Sequence, residues 1–233
     1  MLSSIERGYD HIMTMGFKEI LDLSHTVYHN CPGWPTYEMA NVKYEAIYHV
    51  NGYTAEQIKM NVHTATHIDA PFHFFPDGKR IDGFNAESFQ GEAVPVDLFD
   101  IAPNTPISAA HLDPYKDKVH PGDIVLLCTG WGLKRGFTDE YCHQWPFLSR
   151  EGAEWLLERK VKGVGTDGMS IGGWGEGTGM PPHETLLKHD IWLLEELFIT
   201  KQILKHDRWY LCAFPIKFLG FGGSPVRAVA MHV

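Results

Sequence analysis

Cysteine is scarce in this chain. There are 4 in 233 residues, Cys31, Cys128, Cys142 and Cys212, and no two have the C-x-x-C spacing of a zinc ribbon or a redox pair. Long apolar runs are missing as well, and none approaches the ~20 residues of a membrane-spanning helix. The start carries Glu6, Arg7 and Asp10 where a secretory signal would have its apolar core. There is no Lys/Arg-rich block, and 20 Lys+Arg against 29 Asp+Glu leave a formal charge of −9. Nucleic acid and anionic membrane are therefore not expected as partners. Repeats, low-complexity tracts and clear linkers are also absent. The expectation is a cytoplasmic protein in a reducing setting, forming a single domain over 1–233. A hydrophobic content of 44% is ample for its core.

Turn residues and apolar periodicity divide the chain into many short strands and few helices. A leading helix is expected over 4–20 and a strand over 20–24. Asn51-Gly52 is a hairpin signal, which predicts paired strands over 42–49 and 57–63. Short apolar runs at 94–98 and 123–128 read as buried strands. Ser149 can cap a helix running to about Lys160, with Glu151 suited to its positive end. Further strands are expected over 162–166, 191–195, 210–214 and 228–232. Between them lie a glycine-rich loop over 168–182 and a helical turn over 184–188. The pattern predicts an α/β fold with a mixed, barrel-like sheet.

Histidine is plentiful, and the segment His63-Thr64-Ala65-Thr66-His67-Ile68-Asp69-Ala70-Pro71-Phe72-His73 concentrates it. His63, His67, Asp69 and His73 all occupy odd positions, so an extended backbone would turn all four to one face. A helix would split them. Thr64 and Thr66 are β-branched, and Pro71 pushes Ala70 away from helical angles, both of which favour extension. Any one of these residues is more often an ordinary core or surface group. Together, flanked by Ile68, Phe72, Phe74 and Phe75, they would be costly to bury without a partner. Imidazole nitrogens with a carboxylate are the ligands of Zn²⁺ or Mn²⁺, and three of them leave the open positions a catalytic ion needs. His183, after Pro181-Pro182, and Glu195, at the end of an apolar strand, are candidates for further ligation. From the residues alone His183 reads more readily as an ordinary helix-start residue with no ligand role, and Glu195 reads equally well as a strand-end residue in solvent. Glu196 should face the opposite way from Glu195. His25, His29, His111, His143, His189 and His206 read as surface residues.

The motif His-x-(Gly/Ala)-Thr-His-x-Asp-x-Pro-x-His resembles that of the cyclase family of metal-dependent hydrolases, which includes bacterial kynurenine formamidase and isatin hydrolase. The likeness extends over nearly the whole chain. Asp22-Leu23-Ser24 resembles the family's opening strand and Thr129-Gly130-Trp131 its central strand end. The segment from His183 to Leu187, with Ile191, Leu193, Glu195 and Leu197, resembles its second ligand segment. Residues 211–218 with Ser224-Pro225-Val226-Arg227 resemble its closing strands. The resemblance implies metal ligands at His63, His67 and Asp69. Where two ions are bound, Asp69 would bridge them and His183 with Glu195 would hold the second. It implies His73 as the acid/base, a swivelling β/β/α fold, and a homodimer or homotetramer.

The expected activity is hydrolysis of a linear or cyclic amide, such as an arylformamide or an isatin-like ring. The divalent ion would activate water and His73, with an ordinary pKa of ~6.5, would move the proton. Trp34, Phe72, Trp131 and Trp174 are candidates to contact a flat small-molecule substrate. Trp34 and Trp174 stand out because they lie in Gly/Pro loops. Lactone or ester hydrolysis, or cyclisation, would suit the same groups. A non-catalytic metal or small-molecule binding protein is the alternative from another class, although such a protein has no use for a free base beside the ligands.

Overall fold

A computed structural model describes residues 16–232. Its strands are β1 (Glu19–Asp22), β2 (Asn41–Ala46), β3 (Ala55–Lys59), β4 (His67–Asp69), β5 (Gln90–Asp97), β6 (Pro106–Ile107), β7 (Ile124–Cys128), β8 (Phe147–Leu148), β9 (Gly163–Thr166), β10 (Trp192–Glu195), β11 (Trp209–Cys212), β12 (Gly223–Pro225) and β13 (Val229–His232). The α-helical segments are α1 (Tyr48–Asn51), α2 (Ala109–Leu112), α3 (Asp139–His143), α4 (Arg150–Glu158) and α5 (Met180–Leu187). Among the described residues, nine strands form one mixed sheet in the order β1-β13-β11-β5-β7-β9-β10-β4-β12, curled into a half-barrel. β5, β7, β9 and β10 are parallel neighbours, and the flanking pairs are antiparallel. This is the α/β architecture with a mixed, barrel-like sheet that the pattern predicts.

The central strand explains the long apolar runs. Ile124, Leu126 and Cys128 of β7 pack with Ile68, Trp192 and Trp209 on one face. Val125 and Leu127 pack on the other with Ala153 and Leu156 of α4 and Leu186 and Leu187 of α5. A strand covered on both faces reads as continuous hydrophobicity, and each fully buried leucine contributes roughly 1.5–3 kcal/mol. α4 starts where its cap predicts, with Ser149 Oγ accepting the Gly152 N–H at 3.2 Å. It ends at Glu158, because Lys160 adopts a left-handed backbone with φ 56°.

Several expectations need correction. The leading helix lies mostly outside the described residues, and its last part is β1 instead. The hairpin pairs Asn41–Ala46 with Ala55–Lys59, while Tyr48–Asn51 forms one helical turn that Gly52 ends at φ 77°. Gly52 is needed there because side chains rarely adopt that angle. The 63–73 segment is not one extended strand. Only His67–Asp69 is strand, Ala65 bends the chain with φ 58°, and Pro71–His73 is a 3-10 turn. Proline suits the first position of a helical turn because its missing N–H would be unpaired there anyway. The helix expected as a short turn over 184–188 already starts at Met180 for the same reason, with its prolines in the first turn. No helix among the described residues is long and apolar enough to cross a membrane.

Candidate metal centre

The sheet register brings the first residues together. β4 lies between β10 and β12, with His67 opposite Glu195 and Asp69 opposite both Leu193 and Gly223. His67 and Asp69 share a face while Ile68 points into the core. The bend at Ala65 returns His63 to Asp69, whose Oδ1 lies 2.6 Å from His63 Nδ1. The 3-10 turn after Pro71 places His73 Nε2 3.8 Å from Asp69 Oδ2, with its ring stacked on His63 at 3.9 Å. α5 delivers His183 from the other side, its Nε2 3.3 Å from Glu195 Oε1 and 3.9 Å from Asp69 Oδ2.

Backbone partners orient these rings. His67 Nδ1 lies 2.7 Å from Ala65 O, and His183 Nδ1 lies 2.7 Å from Gly179 O. Donation from each Nδ1 would let each Nε2 offer its lone pair to an ion that displaces its proton. Glu195 Oε1 accepts from Ser170 Oγ at 3.0 Å and from the Ile171 N–H at 2.7 Å, which fixes the carboxylate. Two sets of three donors result, His63/His67/Asp69 and Asp69/His183/Glu195, each with ligand atoms within 4.8 Å of one another. Asp69 belongs to both, and His73 belongs to neither.

The field in the site favours positive charge. Burial opposes a charge on His67, but the carboxylates of Asp69 and Glu195 outweigh it and hold its pKa up at about 9. His183 is likewise raised against its burial by Glu195 and Asp69. Asp69 is held well below the usual carboxylate range despite burial, chiefly by His63. Among the described residues, His67 Nε2 and Asp69 Oδ2 are buried without a hydrogen-bond partner. Orphaned buried donor atoms in a nitrogen/oxygen set with this field fit a divalent cation. His73 differs: burial lowers its pKa to about 4, aided by His63 and His183 and opposed by Asp69, so the ring is neutral.

A cavity of about 540 Å³ opens over these groups, walled by Trp34, Tyr37, Phe74, Met169, Trp174 and Met180. Trp34 stands 5.2 Å from Trp174, and Phe74 stacks on His183 at 4.3 Å. Trp34 and Trp174, the two candidates in Gly/Pro loops, line this cavity. Phe72 and Trp131 do not. The Arg80 guanidinium covers the Phe72 ring at 4.1 Å, and Trp131 is buried with Tyr141, Trp145 and Met169.

The chain matches the Cyclase family model over residues 21–172. It belongs to the cyclase family. It is 28% identical to kynurenine formamidase of Bacillus cereus over 220 residues, covering 92% of this chain and 98% of the relative. Isatin hydrolase A from Labrenzia aggregata, solved bound to benzyl benzoate, superimposes with a TM-score of 0.82 at 25% identity, covering 92% of this chain and 93% of that one. A structure described as a potential metal-dependent hydrolase with cyclase activity matches at a TM-score of 0.77 and 25% identity, covering 92% and 98%.

Sequence reasoning missed four contributors. Ser170 fixes Glu195, and Tyr37 lines the cavity. Gly222 and Gly223 let the backbone press against the site, since a Cβ on Gly223 would lie 2.5 Å from His63 Cε1 and one on Gly222 2.9 Å from His73 N. The adjacent glycines were a readable signal of close approach, whereas nothing marked Ser170 or Tyr37. His25 is also not a surface group, because its Nε2 is fully buried.

Proposed function

We propose that this member of the family is a metal-dependent hydrolase of carbon–nitrogen bonds, acting on a flat aromatic linear or cyclic amide such as an arylformamide or an isatin-like ring. The observation that carries the reading is the pair of three-donor sets sharing Asp69 beneath an aromatic cavity, with a neutral His73 beside them and outside both. The names of the relatives, kynurenine formamidase and isatin hydrolase, support the substrate class.

His63, His67 and Asp69 would hold one Zn²⁺ or Mn²⁺, and Asp69, His183 and Glu195 a second. A bound ion supplies Lewis acidity toward a carbonyl oxygen and lowers the pKa of water from ~15.7 toward ~7. The chain's own groups do the rest. Trp34, Trp174 and Phe74 sandwich the planar substrate and exclude water. Neutral His73 accepts the proton of the attacking water at an imidazole nitrogen and delivers it to the leaving nitrogen. Hydrolysis of an arylformamide and isatin-like panel, lost on chelation and restored by Zn²⁺ or Mn²⁺, is the expected result. Turnover of lactones alone, or stoichiometric metal with no turnover, would reject the amide assignment.

The reading extends to a single cytoplasmic domain that assembles as a homodimer or homotetramer. The continuous nine-stranded sheet supports one domain. The free thiols of Cys31, Cys128, Cys142 and Cys212 suit a reducing compartment. Exposed Tyr44, Tyr48, Val50 and Tyr53 around the β2–β3 hairpin form an apolar surface that a second copy would cover. Light scattering that finds a monomer at micromolar concentration would reject the assembly.

A further inference from the structure

The backbone that carries His67 and Glu195 is gripped from behind, away from the cavity, by a buried polar network. Its centre is an ion pair between Arg135 and Glu196, whose side chains are 8% and 1% exposed, with Nε 3.5 Å from Oε2. The same guanidinium donates from Nη2 to Pro32 O at 2.6 Å and from Nη1 to Thr26 O at 3.2 Å. Glu196 adopts a left-handed backbone with φ 51°, and its N–H donates to Gly168 O at 3.1 Å. Its carbonyl accepts from Thr66 Oγ1 at 2.6 Å, and that oxygen in turn accepts the His25 N–H at 2.9 Å.

Four anchors of this network lie within two residues of a cavity or ligand residue. Thr66 precedes His67, Glu196 follows Glu195, Gly168 lies just ahead of Ser170, and Pro32 just ahead of Trp34. A buried ion pair is a weak source of net stability, and a non-glycine residue at positive φ adds strain. A demand for fixed geometry at the neighbouring site accounts for keeping both. We infer that Arg135 and Glu196 are positioning residues that hold the His67 and Glu195 ligand backbone and the Trp34 wall in register.

The inference rests on the metal-dependent reading above. The test compares the wild-type chain with Arg135→Met and with the double variant Arg135→Met/Glu196→Met, which removes the carboxylate that the single variant leaves unpaired. Zn²⁺ affinity by chelator competition, the thermal midpoint of the metal-free protein, and kcat and KM separately are the readouts. Arg135→Met is expected to weaken Zn²⁺ binding by about 10–100-fold, the usual effect of losing a group that orients ligands, and to raise KM for an arylformamide. The double variant is expected to recover the thermal midpoint without recovering Zn²⁺ affinity. Wild-type affinity in the single variant, or affinity and midpoint restored together in the double, would overturn the positioning role. If Arg135→Met does not fold, the double variant decides alone. Failure of the wild-type chain itself to take up Zn²⁺ or Mn²⁺ would overturn the underlying metal reading instead.

Discussion

Replacing Asp69 with asparagine tests the centre most directly, because this carboxylate is the one donor common to both three-residue sets. Asparagine keeps the shape and removes the charge. Asp69 Oδ1 lies 2.6 Å from His63 Nδ1 and Oδ2 lies 3.9 Å from His183 Nε2, so a cation held by these rings would be within ion-pair range of the carboxylate. At an effective dielectric constant of about 20, a unit charge pair ~4 Å apart is worth ~4 kcal/mol. That is about three decades in affinity for each unit of charge on the ion. The assay is metal per chain by elemental analysis after dialysis, followed by calorimetric titration with Zn²⁺ and Mn²⁺. Asp69→Asn is expected to empty both sets. Glu195→Gln should weaken only the set with His183, and His63→Ala only the set with His67. Wild-type metal content in Asp69→Asn would refute the assignment of the whole centre.

Three further outcomes are expected. His73→Ala should keep its metal and lose roughly 10²–10⁴-fold in turnover, the usual contribution of a positioned acid/base; loss of metal would make His73 a ligand. Gly223→Ala should reduce metal affinity although it removes no functional group, because the added Cβ falls 2.5 Å from His63 Cε1, and unchanged calorimetric affinity would show that the site does not depend on this close approach. Burial lifts the Asp167 carboxyl from the ordinary 3.8 to about 6, against the hydrogen bonds it accepts from Thr129. The folded value lies above the unfolded one, so the stabilisation is full below about pH 4 and is lost as pH rises through about 6. Asp167→Asn should therefore stabilise the protein at pH 7.5 by up to ~3 kcal/mol, at 1.36 kcal/mol per pKa unit, with the gain vanishing near pH 4. Equal denaturant midpoints for the two proteins at pH 7.5 would contradict that account.

Much of the architecture was legible. The run around Ile124–Cys128 reads as strand because both faces are covered, and Ser149 marks the start of α4 because a helix N-terminus needs an oxygen there. The hairpin was harder, since Tyr48–Asn51 has no local feature that distinguishes a helical turn from a continued strand. Around His63–His73 the four side chains do lie together, but alternation accounts for that only in part. Alternation carries His67 and Asp69, whereas His63 and His73 arrive through a bend at Ala65 and a 3-10 turn after Pro71. Proline permits both an extended entry and a first helical turn, so the residue alone does not choose between them.

By itself the sequence determined which donors are available and that four of them lie in one short segment, because residue type and spacing are properties of the chain. It also determined that this segment is flanked by apolar residues that demand burial. The tertiary structure alone decided how these donors meet. The β4–β10 register sets Glu195 opposite His67, and the packing of α5 against the sheet brings in His183. It also separated Trp34 and Trp174, which wall the cavity, from Phe72 and Trp131, which pack elsewhere. Partners more than a hundred residues apart are chosen by sheet register and helix packing, which depend on the whole core and leave no local trace.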